Sequence, residues 1–172
     1  MTEAPTAEAL ADELAARHRD WFRQNPMGEL AQTCLIFGED GAVTAVECGW
    51  ANPVEREITI ALLRMLMERA QAVRYALWAE TWMVQSIRPE GMDPQEFAKR
   101  ESTKYAPGSL ATHPDRIECV LTYVVEASGK SVSRTQRIIR GRSGGVRTLV
   151  PEDIGDGMAG ALTDLLPHRT FN

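Results

Sequence analysis

Residues 116–140 read RIECVLTYVVEASGKSVSRTQRIIR, and this stretch decides the fold class. Two runs rich in β-branched residues, Arg116 to Glu126 and Ser131 to Arg140, flank Ala127-Ser128-Gly129. A three-residue hairpin loop needs a left-handed residue, and glycine adopts that conformation without a Cβ penalty. In that register Ile117, Cys119, Leu121, Tyr123 and Val125 share the core face. Their opposite numbers include Thr135 and Ile139, while Glu126 meets Lys130 on the outer face. A two-residue loop would shift the pairing and bring Arg134 and Arg140 onto the apolar face, which selects the longer loop.

Working outward, Arg74 to Val84 is a long strand, with Tyr75, Leu77, Ala79, Thr81 and Met83 on one face. Ala76, Trp78, Glu80, Trp82 and Val84 lie on the other. Asp40-Gly41 joins the strands Thr33 to Phe37 and Val43 to Cys48 in a tight hairpin. Thr6 caps a helix running to about Gln24, with Leu10, Leu14, His18, Trp21 and Phe22 near one face. Asn25-Pro26 ends it, since the residue before proline is pushed out of the helical region. Asn52-Pro53-Val54-Glu55 opens a second helix to about Ala70 with a capping side chain, a proline at the first position and a first-turn carboxylate. Ile58, Ile60, Leu62, Leu63, Met65, Leu66 and Met67 leave it few exposed positions, so it is expected to be the central helix, packed on the sheet.

The connection 85–114 is too long to be structureless inside a compact domain. Asp93-Pro94-Gln95-Glu96 repeats the capping pattern and predicts a short helix to about Lys104. Residues 1–5 read as a disordered start and 142–172 as a loosely packed tail, in which Asp156 caps a short helix through Leu166. The expected fold is a single α+β domain over 1–172. Its five strands form a mostly antiparallel sheet with helices on at least one face, in the order α-β-β-α-β-insertion-β-β-weak α.

The apolar fraction of 44% and charged fraction of 25% are ordinary for a soluble globular protein. Cys34, Cys48 and Cys119 are odd in number and sit in apolar strand-like runs, which predicts buried reduced thiols and a reducing compartment. From the acidic residues and the lack of an apolar run in the first twenty residues no signal peptide is expected, and no run approaches a membrane span. A cytoplasmic protein without membrane contact is expected. His18, His113 and His168 lie far apart and no Cys or His pair has ligand spacing, so neither metal nor cofactor is expected.

From Ala127 to Pro151 the chain has six basic residues and no acidic one. With a net charge of −5 overall, the rest of the molecule sums to −11. Arg134, Arg137, Arg140, Arg142 and Arg147 are therefore candidates for anion contact, the last two flanking the loop Ser143-Gly144-Gly145. The competing reading is a solvated strand paired with Glu118, Glu126 and the acidic helices. The acidic balance argues against a dedicated nucleic-acid binder while leaving weak phosphate or nucleic-acid contact open.

Trp78, Glu80 and Trp82 share a strand face. Buried, that face would give Glu80 a raised pKa suited to a general acid; the alternatives are that it lies under a helix edge with Glu80 paired to an arginine, or that it is a protein-binding patch. His113-Pro114-Asp115-Arg116 gathers a base, an acid and an anion clamp at the mouth of a strand, or is simply a turn. Glu80, His113, Asp115 and Arg116 are the catalytic candidates, with 85–116 as a lid over them. Phosphate-loop, dinucleotide-fold and nucleophile-elbow patterns are absent.

Ala79-Glu80-Thr81-Trp82-Met83-Val84 and His113 to Glu118, followed by two strands ending in Ile139-Arg140, resemble stretches of small bacterial and prophage proteins of unknown function. The likeness covers about a third of the chain and implies no activity. Arg142 to Gly145 resembles the pyrophosphate loop of acyl-CoA acetyltransferases, but Arg147 stands where glycine or alanine is expected. A zinc isopeptidase would need a His-x-His that is missing. The element order is similar to that of roadblock-type dynein light-chain domains, which implies dimerisation through a helix and a sheet edge. The long insertion after Val84 departs from that pattern. The function expected is a non-enzymatic, homodimeric interaction module that also takes an unidentified protein partner. A small enzyme or ligand-binding domain is the alternative.

Overall fold

The computed structural model describes residues 5–84, 86–105, 109–141 and 147–152. Helix α1 (Ala7–Gln24) begins where the Thr6 hydroxyl accepts the Ala9 N–H at 3.2 Å. Strands β1 (Thr33–Gly38) and β2 (Val43–Glu47) are joined by a turn in which Gly41 takes a φ of 81°. Helix α2 (Pro53–Arg69) starts with a reciprocal cap: Asn52 accepts the Glu55 N–H at 2.9 Å and the Glu55 carboxylate accepts the Ala51 N–H at 2.8 Å. Strand β3 (Ala72–Met83) leads to α3 (Pro94–Ser102), capped by Asp93, and a 3-10 turn at Ser109–Thr112. Strands β4 (Ile117–Glu126), β5 (Ser131–Arg140) and β6 (Arg147–Glu152) complete the described chain.

All six strands form one antiparallel sheet in the order β2-β1-β3-β4-β5-β6. The β4–β5 hairpin has the three-residue loop, with Gly129 at φ 87° and Leu121 opposite Thr135. The described residues therefore hold six strands, not five. Arg147–Glu152 pairs along β5, so the basic segment continues into a strand where a loose tail was expected. The Asp156 helix and the loop 142–146 lie outside the described residues.

Helices lie on opposite faces of the sheet. Leu10, Ala11 and Leu14 of α1 pack with Ala76 and Val124, and Phe22 packs with Val120, Ile138 and Leu149. Ile60, Leu63 and Met67 of α2 pack with Cys34, Ile36, Tyr75, Leu77 and Tyr123. Both sets of β3 and β4 side chains are thus used. Val120, Thr122 and Val124 are as buried as Cys119, Tyr123 and Val125, so the single core face inferred for β4 is corrected to two. Near-continuous apolar runs are the composition of strands covered on both sides. The three cysteines are buried free thiols, and burial pushes the Cys34 thiol up to about 12.

Candidate interaction surface

Helix α2 packs on the sheet as expected, but the expectation that it has few exposed positions is overturned. Only Ile60, Leu63 and Met67 of this helix are buried, while Val54, Ile58, Leu62 and Met65 stand 70%, 63%, 42% and 57% exposed. Residues 54, 58, 61, 62 and 65 recur at helical spacing, and on a helical wheel they centre directly opposite Ile60, Leu63 and Met67. The helix therefore has two apolar faces. One meets the sheet; the other, with Ala61 at its middle, meets solvent. A helix apolar on both sides belongs in an environment that covers both. Four large exposed side chains in one row make a contiguous patch of the kind that marks a binding site.

The apolar spacing of Ile58, Leu62 and Met65, three of these four residues, predicts burial that the structure does not give them. A helix on one face of a sheet buries one stripe, and this helix carries two.

The tryptophan candidates fall elsewhere. Trp78 is half-buried under α1, its ring 5.2 Å from the His18 ring. Trp82 is half-buried, with the Arg116 guanidinium 5.0 Å above it. Between them Glu80 accepts the Leu30 N–H at 2.6 Å, which ties the chain entering β1 to β3. His113, Asp115 and Arg116 are brought together in one turn. His113 Nδ1 accepts the Asp115 N–H at 3.1 Å, the His113 carbonyl accepts from Arg116 at 3.2 Å, and Tyr105 meets the His113 ring edge-on. Arg116 stacks on Trp82, two residues along β3 from Glu80, whose carboxylate accepts the Leu30 N–H. Among the described residues no cluster of three or more His, Cys, Asp or Glu has metal-binding geometry.

The basic segment is met by acids from the same chain. Lys130 pairs with Glu8 at 2.7 Å and Arg134 with Asp12 at 2.6 Å, both on α1. Arg140 grips Glu118 through two nitrogens, the Nε contact being 2.8 Å. These pairs hold the Glu8 carboxyl below its ordinary range and the Lys130 and Arg140 groups above theirs. Arg137 projects from the opposite face of β5, in the Cys119 row. Arg147 opens β6, and Arg142 lies outside the described residues.

Comparison with known protein families, curated proteins and solved structures finds no match to this chain. No helix among the described residues is long and apolar enough to cross a membrane.

Proposed function

We propose that the protein is an interaction module without chemistry of its own, and that it works as a homodimer joined through the outer face of α2. The observation that carries this reading is the exposed row Val54, Ile58, Leu62 and Met65. A second copy suits the row because its charges are self-complementary in antiparallel apposition. The N-terminal half of the helix (Glu55, Arg56, Glu57) sums to −1 and the C-terminal half (Arg64, Glu68, Arg69) to +1. Antiparallel helix dipoles add to the same preference. Ala61 at the midpoint allows close approach of the two backbones.

Sedimentation equilibrium tests it. The native chain should show twice its 19.1 kDa mass at micromolar concentration. The double variant Ile58→Glu, Met65→Glu should sediment as a monomer with unchanged circular dichroism, since neither side chain enters the core. A native monomer at high micromolar concentration would sink the proposal.

A further inference from the structure

The two edges of the sheet are built differently. The β6 edge contains Pro151, which has no N–H to offer an incoming strand. The β2 edge, Val43-Thr44-Ala45-Val46-Glu47, has no proline, no lysine and no bulge in its register with β1. The Gly38 N–H to Ala42 carbonyl bond (2.8 Å) and the Cys48 N–H to Gln32 carbonyl bond (2.9 Å) fix the hairpin's alternation. Ala42, Thr44, Val46 and Cys48 therefore turn their backbone groups toward β1. Val43, Ala45 and Glu47 turn theirs outward, presenting three donors and three acceptors to any strand laid alongside. On the α1 side of this edge Val43 is 56% exposed beside half-buried Phe37, and Ala45 lies beside Leu35.

Charge selects the occupant. Glu39 and Asp40 stand at one end of β2 and Glu47 at the other, and none of them enters an ion pair among the described residues. Two copies of β2 paired antiparallel about Ala45 would set Glu47 of one opposite Val43 of the other, with Asp40 and Glu39 in the turn just beyond, placing like charge at both ends. We infer that β2 is a strand-addition site for an extended segment of a different protein, apolar in its middle and carrying Lys or Arg at both ends. The added strand would gain its affinity from backbone bonds and its selectivity from the flanking carboxylates. This site is separate from the outer face of α2 and does not depend on it.

The probe is a fluorescent peptide of alternating valine and threonine with lysines at both ends, titrated by anisotropy. Saturable binding at about 50 mM salt is expected, weakening several-fold at about 500 mM. A glutamate-ended peptide should bind about tenfold more weakly or worse. Ala45→Pro removes an outward N–H and sets a ring in the path of the partner, while the inward bonds of Thr44 and Val46 stay intact. It should weaken binding about tenfold or more without altering circular dichroism. Should that variant misfold, the same loss is required when the peptide is N-methylated at the amides that would face β2. Undiminished binding to Ala45→Pro, or no binding at either salt concentration, overturns the inference. So does a fall in the protein's own sedimentation mass on Ala45→Pro, which would assign the edge to a second copy.

Discussion

Helices α1 and α2 flank the same sheet, yet they are finished in opposite ways. Helix α1 buries an apolar stripe and closes its polar flank within the chain. His18 Nδ1 lies 3.2 Å from the Thr122 hydroxyl, and Gln136 donates to the Ala15 carbonyl while accepting from Arg19, both at 3.0 Å. Glu8 and Asp12 meet Lys130 and Arg134. Helix α2 buries a shorter stripe, Ile60, Leu63 and Met67, and turns a second apolar row to solvent. Three of the six basic residues that stand out in the sequence, Lys130, Arg134 and Arg140, are thus paired inside the molecule. The outer row of α2, by contrast, has no cover among the described residues.

Neighbouring leucines on α2 give the largest expected contrast. Leu63 is fully buried and Leu62 is 42% exposed. Leu63→Ala leaves a cavity and should cost about 2–5 kcal/mol. Leu62→Ala should change the unfolding free energy of dilute protein by no more than about 0.5 kcal/mol, while weakening self-association. Urea melts at low concentration measure both. Equal losses would mean that the outer row is already covered by the chain itself, and the contrast with α1 would disappear.

Local chemistry was largely legible in the sequence. Thr6, Asn52 and Asp93 cap helices because short polar side chains satisfy the first free N–H groups, a preference that needs no tertiary context. The β4–β5 register followed from loop chemistry at Gly129. Coverage was not legible in the same way. The spacing of Ile58, Leu62 and Met65 is the same whether their cover comes from this chain or another, so periodicity alone read them as core. Strand β6 was hidden because Pro151 and the preceding glycines are loop signals, and a short edge strand tolerates them. For the candidate site, the sequence drew attention to arginines and tryptophans. The structure pairs Arg134 and Arg140 with acids and sets Trp78 half-buried under α1.

The α1 side should show itself in pH dependence, an effect somewhat smaller than the upper end of the Leu63 range. Burial depresses the His18 pKa from an ordinary 6.5 to about 4. Between those values the unfolded chain binds a proton that the folded chain refuses, so stability rises with pH across the window. The contribution is complete above about pH 6.5 and is lost progressively as pH falls toward 4, by about 3 kcal/mol at this site. His18→Gln should flatten the slope of unfolding free energy between pH 6.5 and 4 relative to the native chain. An unchanged slope would show that His18 titrates normally and that the closure of α1 over Thr122 and Trp78 is looser than described.

The smallest expected effect belongs to the feature most conspicuous in the sequence. The Asp12 and Arg134 side chains are 64% and 37% exposed, so solvent screens their attraction despite the 2.6 Å contact. A double-mutant cycle of Asp12→Ala and Arg134→Ala should give a coupling energy below about 1 kcal/mol, shrinking further in high salt. The pair's value lies instead in neutralisation: it ties a basic strand to an acidic helix and removes field that would otherwise reach a polyanion. Accordingly, replacing Glu8, Asp12 and Glu118 with their amides should raise affinity for duplex nucleic acid at low salt while barely moving the melting temperature. If the native chain already binds as tightly as that triple variant, the arginines are not neutralised in solution, and the outward-facing chemistry of the molecule lies on the β5 side after all.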